Sequence, residues 1–504
     1  VRALKALLRG ARGRVLLALA SAALVGVVYV FLATAGRMDR FPHTGNGYYE
    51  QLAVAFVDGH LDLIQRPDPS KSADDVRGQF WDLSLHDGRL YLYWGPAPAL
   101  VGAALLQWFS LSVADDEMTV AFALGRAVVG AMLLVRAKRV FFRGHPWWPT
   151  VMGIVTLAFG APLTLVCARP ATYEVAIVGD QFFLVTAAFV AFVALTRPRG
   201  AATRPLFVLV SALLALGVAS RLAQILAAAT LAAITFVEAA SDAPDEGRAR
   251  FWLGDATALA LPLLAGCAGL GVYDRVRFGS AFDTGLQHQL SIWTFHNGLR
   301  FVVPNLYSYV AKPPLLQHAF PYLRVAPWDE FVLWKWFPET ALHEDDTVFE
   351  ANVGFLWTTP FYALAAVAWI ALARWVARAV RRRDFGPFAP APRMAWFAAV
   401  SLCLATLSML PCLVAFVSAV RYLADASAGL AFGATLGLSL LVARPVRSAI
   451  ARRALAAGAA FAVAASLIVN AALWVEGPYG GFLRSHNQRF FDGLSRVFPG
   501  GSAT

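Results

Sequence analysis

The chain reads as an all-α polytopic membrane protein with about eleven transmembrane helices, and three observations point there. Of its 504 residues, 58% are hydrophobic and only 15% charged, with a mean hydropathy of +0.58, which excludes an ordinary water-soluble domain. Apolar runs alternate with short polar connections, and each run is long enough to cross roughly 30 Å of hydrocarbon as a helix. Arginines gather between the runs, at 2–14, 136–143, 197–204, 374–383 and 444–453, as expected of cytoplasmic connections. The formal net charge of +11 then follows from topology and gives no ground for a nucleic-acid partner.

With those clusters inside, the spans fall near 15–36, 119–135, 149–167, 174–195, 205–220, 222–238, 252–272, 355–373, 393–418, 422–442 and 454–474. The N-terminus is expected in the cytoplasm. The first run carries Ala33-Thr34-Ala35, a sequence compatible with signal-peptidase cleavage, but it is longer than a usual signal h-region and reads as an uncleaved helix. No repeat or low-complexity linker divides the chain, so residues 1–504 are expected to form a single transmembrane domain. Two large segments, 37–118 and 273–354, and the tail 475–504 are expected outside.

Within the first outer segment, Tyr48 to Val57 has the pattern of a short amphipathic helix, with Leu52, Ala55 and Phe56 on its apolar face. Asp87-Gly88 between apolar residues predicts a hairpin turn. The run 90–111 is apolar but broken by Gly95, Pro96 and Pro98. A full crossing there would move the Arg136 cluster outside, so it is expected not to span. The four cysteines lie in or beside apolar runs without CxxC spacing and read as small core residues.

Four stretches carry a resemblance to known families. GYYEQLAVAFVDGHLDL followed by FWDLSLHDGRLYLYWGPAPAL resembles the first extracytoplasmic loop of polytopic glycosyltransferases of the C superfamily. The helix AFALGRAVVGAMLLVRAKRVF around Arg126 is similar to a pattern in protein O-mannosyltransferase and lipid A aminoarabinose-transferase relatives, and YDRVRFGSAFDTGLQHQL, from Tyr273, resembles a stretch in bacterial members. The segment RYLAD, residues 421–425, resembles a motif of related membrane proteins. The resemblance implies inverting transfer of a hexosyl or pentosyl sugar from a polyprenyl-phosphate donor to a glycan, lipid or protein acceptor. The setting would be the outer face of a bacterial cytoplasmic membrane.

That chemistry needs a carboxylate to deprotonate the acceptor hydroxyl and cations to hold the departing phosphate. Family members often place the acid just after the first helix, but here the position reads Thr44-Gly45-Asn46-Gly47. Asp39, Glu50 and Asp82 are therefore the candidate bases. A bland alternative pairs Asp39 with Arg37 or Arg40. Arg126, Arg221 and Arg421 are candidates for the donor phosphate, although Arg421 also stands i,i+4 from Asp425 and Arg126 within reach of an acid such as Asp180. Tyr48, Tyr49, Trp94, Asp180 and Arg275 are candidate substrate contacts. The aromatic residues between Trp293 and Trp336 suit sugar stacking or an interfacial belt.

No Walker A, no dinucleotide-binding glycine motif and no HExxH occur, so no cofactor is specified; a divalent cation near Asp39 and Glu50 is left open. Two other classes stay open. A secondary transporter would suit the number of spans and the intramembrane charges, but it would be expected to show paired broken helices. A non-catalytic membrane scaffold would need no convergence of an acid and arginines.

Overall fold

The computed structural model describes residues 11–42, 46–68, 70–160, 162–198, 203–242, 247–290, 297–325, 348–382, 393–444 and 448–498. Eleven helices among them are long and apolar enough to cross a membrane. In chain order they are α1 (Val15–Ala33), α2 (Asp115–Phe141), α3 (Trp148–Ala168), α4 (Thr172–Leu195), α5 (Thr203–Ser220) and α6 (Leu222–Ser241). Then follow α7 (Arg248–Phe278), α8 (Pro360–Arg381), α9 (Met394–Val414), α10 (Val420–Ala443) and α11 (Ala449–Glu476). The eighth departs most from expectation: a span near 355–373 was predicted, but Phe355–Thr358 forms a separate turn of helix and Pro360 opens the long helix. Proline is favoured there because a first-turn residue has no intrahelical partner for its N–H.

The close core has a small-residue origin. In α10, Gly429, Gly433 and Gly437 recur every fourth residue, and a Cβ on Gly429 would stand 2.4 Å from the backbone of Ser401 and Ala405 in α9. At Gly437 it would stand 2.2 Å from the Leu364 carbonyl of α8. Without side chains at these positions the three helices approach closely, as small-residue stripes allow inside membranes.

Because the helices alternate in direction, connections following odd-numbered spans meet at one end of the bundle. Contacts between distant segments confirm the grouping. The Ser84 hydroxyl donates to the Gly285 carbonyl, Val348–Phe349 pairs in parallel with Val417–Ser418, and the Asn487 amide donates to the Ala35 carbonyl. The arginine-rich connections follow even-numbered spans and occupy the opposite end, where Arg393 joins Glu238 and Asp242.

The segment 37–118 folds on the first of these ends. Tyr48–Val57 is helical, with Leu52 and Ala55 buried and Phe56 half-buried in edge contact with Tyr273. Its first turn is held by Asp115, which accepts from the Tyr49 and Glu50 amides and from the Thr172 hydroxyl. A carboxylate at a helix N-terminus satisfies donors that have no intrahelical partner. Ser84–His86 and Arg89–Tyr91 form a hairpin whose turn residues, Asp87 and Gly88, both have positive φ, the type I′ pattern. The apolar run after it is a helix of only 13 residues, Ala97–Phe109, about 20 Å long and too short to span. Just before it, Gly95 lies so near α5 that a Cβ would stand 2.1 Å from the Ala219 carbonyl oxygen.

Candidate functional site

Three adjoining cavities lie at the end of the bundle where segment 37–118 and the described parts of 273–354 meet, and shared residues join them in a row. The first, about 220 Å³, is lined by Asn46, Tyr48, Asp82, Trp94, Arg169 and Tyr173 among others. The second, about 510 Å³, shares Trp94 and adds Arg221, Tyr273, Asp274, Arg277 and Tyr422. The third, about 760 Å³, shares Pro96, Leu270 and Tyr273 with the second; apart from His60 its other walls are apolar or small, including Leu100, Ala212, Leu216, Pro262, Gly266 and Gly269. Polarity therefore falls steadily from a carboxylate at one end to a hydrocarbon groove at the other.

Asp82 is half-buried and accepts from the Gln289 amide at 2.9 Å and from the Tyr173 hydroxyl. Burial pushes its carboxyl above the ordinary value, opposed by those hydrogen bonds and by the positive charges of Arg421 and Arg169. Gln289 reaches it from 207 residues along the chain, because Leu290 and Leu83 join backbones and Ser84 bridges to Gln289. Arg169 lines the same cavity, lies over the Tyr479 ring at 4.3 Å, and pairs with no carboxylate among the described residues.

Four residues that line the second cavity carry buried donor atoms without a hydrogen-bond partner among the described residues: Trp94 Nε1, Arg221 Nε, Arg277 Nε and the Tyr273 hydroxyl. Such groups are costly unless something accepts from them. Arg277 donates through its other nitrogens to Asp274 at 2.5 Å and the Leu92 carbonyl at 2.8 Å, and stacks on Tyr273 at 3.8 Å. Arg221 donates to both Asp180, at 3.2 Å, and Asp425, at 2.6 Å, beneath the Trp94 and Tyr422 rings.

The sequence-derived candidates separate on this geometry. Asp82, Tyr48, Trp94 and Arg221 line the row of cavities. Asp180 stands behind Arg221 as its counter-ion. Tyr49 is fully buried and donates to the Gly95 carbonyl, so it fixes the turn rather than facing a cavity. Asp39 is 61% exposed and pairs with Arg37 at 3.5 Å, as a surface ion pair does. Glu50 accepts from Ser112 at 2.9 Å on the far side of the short helix. Arg275 is exposed, whereas its neighbour Arg277 turns inward.

Arg126 is fully buried in α2 and donates to Ser427 at 2.5 Å; its remaining nitrogens have no hydrogen-bond partner among the described residues, and it lies within electrostatic reach of Asp180 and Asp425. Two acids and two arginines thus neutralise one another inside the bundle. Arg421 is gripped by Glu350 through two bonds of 2.6 and 2.9 Å and by the Tyr479 hydroxyl, with Tyr173 stacked on it at 4.7 Å. The expected i,i+4 pairing with Asp425 is replaced, because the parallel pairing of 348–349 with 417–418 brings Glu350 against Arg421 while Asp425 takes Arg221. Burial alone would raise the Glu350 carboxyl, but Arg421 and Tyr479 hold it below its ordinary value.

Arg169, Arg277, Gln289 and Glu350 were not singled out for these roles. Arg169 lies in a connection expected outside, and Arg277 lies in the YDRVRFGS stretch; their orientation decides the rest. His43 and the aromatic residues Trp293 and Trp328 to Trp336 lie outside the described residues. No three His, Cys, Asp or Glu side chains come together as a metal site among the described residues.

No family model matches the chain, and no curated protein matches it. Solved structures do. The chain is similar to the archaeal oligosaccharyltransferase AglB from Archaeoglobus fulgidus, solved in complex with an inhibitory peptide and a dolichol-phosphate, at 14% identity and a TM-score of 0.47, covering 95% of this chain and 57% of that one. It is also similar to ArnT from Cupriavidus metallidurans bound to undecaprenyl phosphate, at 12% identity and a TM-score of 0.42, covering 97% of this chain and 80% of that one. The apo form of that ArnT gives 12% identity and a TM-score of 0.44. The chain spans a little over half the length of the oligosaccharyltransferase.

Proposed function

We propose that this protein is a membrane glycosyltransferase of the C superfamily that moves a sugar from a polyprenyl-phosphate donor to a hydroxyl of an extracytoplasmic acceptor. The observation that carries the reading is the row of three cavities, whose order matches the parts of such a reaction. The small-residue groove between Ala97–Phe109, α5 and α7 has the apolar lining that an isoprenoid tail requires. The middle cavity is lined by Trp94, Tyr273, Arg221 and Arg277, whose donor groups would turn to a phosphate there. The first and smallest cavity holds Asp82 and Arg169 where the acceptor would enter.

In the reaction, Asp82 takes the proton of the acceptor hydroxyl. The freed oxygen attacks the anomeric carbon from the face opposite the phosphate. The bond from that carbon to the phosphate oxygen breaks, the electron pair leaves with polyprenyl phosphate, and the configuration inverts. Arg277 and the Trp94 N–H would stabilise the charge gathering on the leaving phosphate, and a preorganised donor in a site of low dielectric contributes most there. Arg169 would orient the acceptor. The raised carboxyl of Asp82, pushed up by burial, makes its ionised form a better proton acceptor than an exposed aspartate. Cytoplasmic placement of the arginine-rich end, by charge bias, puts the three cavities on the outer side.

Purified protein in proteoliposomes, supplied with a panel of polyprenyl-phosphate hexoses and pentoses, tests this. Release of free polyprenyl phosphate that depends on Asp82 is the expected result. Solute uptake without such release would instead establish a transporter.

A further inference from the structure

The opposite end of the bundle holds a cavity larger than any of the three, about 1100 Å³, formed where α2, α8, α9 and α10 end. Its walls change character along α8. Val367, Ile370 and Ala371 line the part deeper in the bundle, and Arg374, Arg378 and Arg381 line the part nearer the helix end. These positions recur at three and four residues, so one face of a single helix carries both parts. From Ile370 to Arg381 the face rises about 16 Å, from hydrocarbon depth to the headgroup region.

The neighbouring helices repeat the gradient. Leu440, Leu441 and Ala443 of α10 give way to Arg444, and Phe141 of α2 gives way to Phe142 and His145. No carboxylate lines the cavity, and none among the described residues pairs with Arg374, Arg378, Arg381 or Arg444. Arg393, also at this end, is by contrast answered by two acids, Glu238 and Asp242. Four arginines at the mouth of an apolar slot, with no counter-ion among the described residues, call for a ligand with an anionic head and a hydrocarbon body.

We infer that this slot is a binding site for an anionic phospholipid, with the phosphate among Arg374, Arg378, Arg381 and Arg444 and an acyl chain along Val367, Ile370 and Leu440. An Arg guanidinium bonds phosphate in a planar fork, and each basic residue adds to attraction for an anionic leaflet. The chain requirement separates this lipid from a free phosphate ion, which the arginines alone would serve. The site is separate from the proposed transfer chemistry at the other end.

Native mass spectrometry of the full chain, released from nanodiscs of equal parts phosphatidylglycerol and phosphatidylcholine, tests it. The protein is expected to retain phosphatidylglycerol over phosphatidylcholine. The variant R374Q/R378Q/R381Q/R444Q should lose that retention by ~10-fold or more. A variant that removes the same charge outside the slot, R248Q/R250Q/R452Q/R453Q, should keep it within about twofold of the parent. Ala371→Phe, which narrows the apolar part and leaves every arginine in place, should also reduce retention. Equal loss in both quadruple variants would show only general attraction to the membrane surface and overturn the site. Unchanged retention in Ala371→Phe, together with displacement of the lipid by millimolar inorganic phosphate, would show a free-anion site and overturn the lipid assignment.

Discussion

The two ends of the helical bundle treat their charges in opposite ways. At the end that carries segment 37–118, the arginines at the cavities and just behind them are buried, Arg221 paired with two aspartates and Arg421 with Glu350, whereas others such as Arg37, Arg89 and Arg275 are exposed. At the other end most arginines are exposed, and they pair rarely among the described residues. A buried charge must be answered by a partner, whereas an exposed one is answered by water and lipid headgroups. Burial beside a partner therefore marks Arg221 and Arg421 near the cavities, whereas exposure marks most arginines at the other end.

The largest effect is expected at Asp82. Asp82→Asn keeps the shape and the Gln289 contact but removes the base, so turnover should fall by about 100-fold or more, measured as polyprenyl phosphate released per minute. Asp39→Asn, at an exposed residue outside the cavities, should stay within about twofold. If Asp39→Asn were inactive and Asp82→Asn active, the site would lie on the other side of the first outer segment.

Next is Arg277→Ala, which removes a buried cation from the middle cavity. The KM for the donor should rise by about 10- to 100-fold, the equivalent of losing one charge-assisted contact to phosphate. Arg275→Ala, on the exposed side of the same helix end, should leave it nearly unchanged, and equal effects would deny that orientation matters here.

A smaller and different effect is expected for Glu350→Gln, which leaves Arg421 buried with a weakened partner. The cost should be about 1.5–3 kcal/mol of stability at pH 7, read from the thermal midpoint in detergent. The pH dependence has a definite sign. Because the folded protein holds Glu350 below its ordinary value, its contribution is complete above that ordinary value and is lost as pH falls through the lowered one. The gap between parent and variant should therefore close on acidification.

Gln289→Leu should act on the pH profile more than on the rate at high pH. Its hydrogen bond lowers the Asp82 carboxyl against the effect of burial, so its loss should move the acid limb of kcat/KM to higher pH. The smallest effect belongs to the other end: Arg453→Gln should change stability by no more than about 0.5 kcal/mol, as for exposed positions without a partner.

Much of this protein was legible in its sequence, and for identifiable reasons. Hydrophobic run length and arginine placement are one-dimensional signals, so the eleven spans and the segregation of basic connections to one end could be read directly, as could the short helix from Tyr48 and the Asp87-Gly88 turn. The chemistry-bearing residue types were also visible: Asp82, Trp94 and Arg221 were candidates from the start. Tertiary structure alone decided which charges face one another. The choice of Glu350 over Asp425 for Arg421, the reach of Gln289 to Asp82, and the inward turn of Arg277 beside the outward Arg275 all depend on segments tens to hundreds of residues apart meeting at one end of the bundle. A membrane helix specifies its own backbone bonds and burial depth through its local sequence, but the rotation that aims a side chain at a partner is set only when neighbouring helices and loops pack against it.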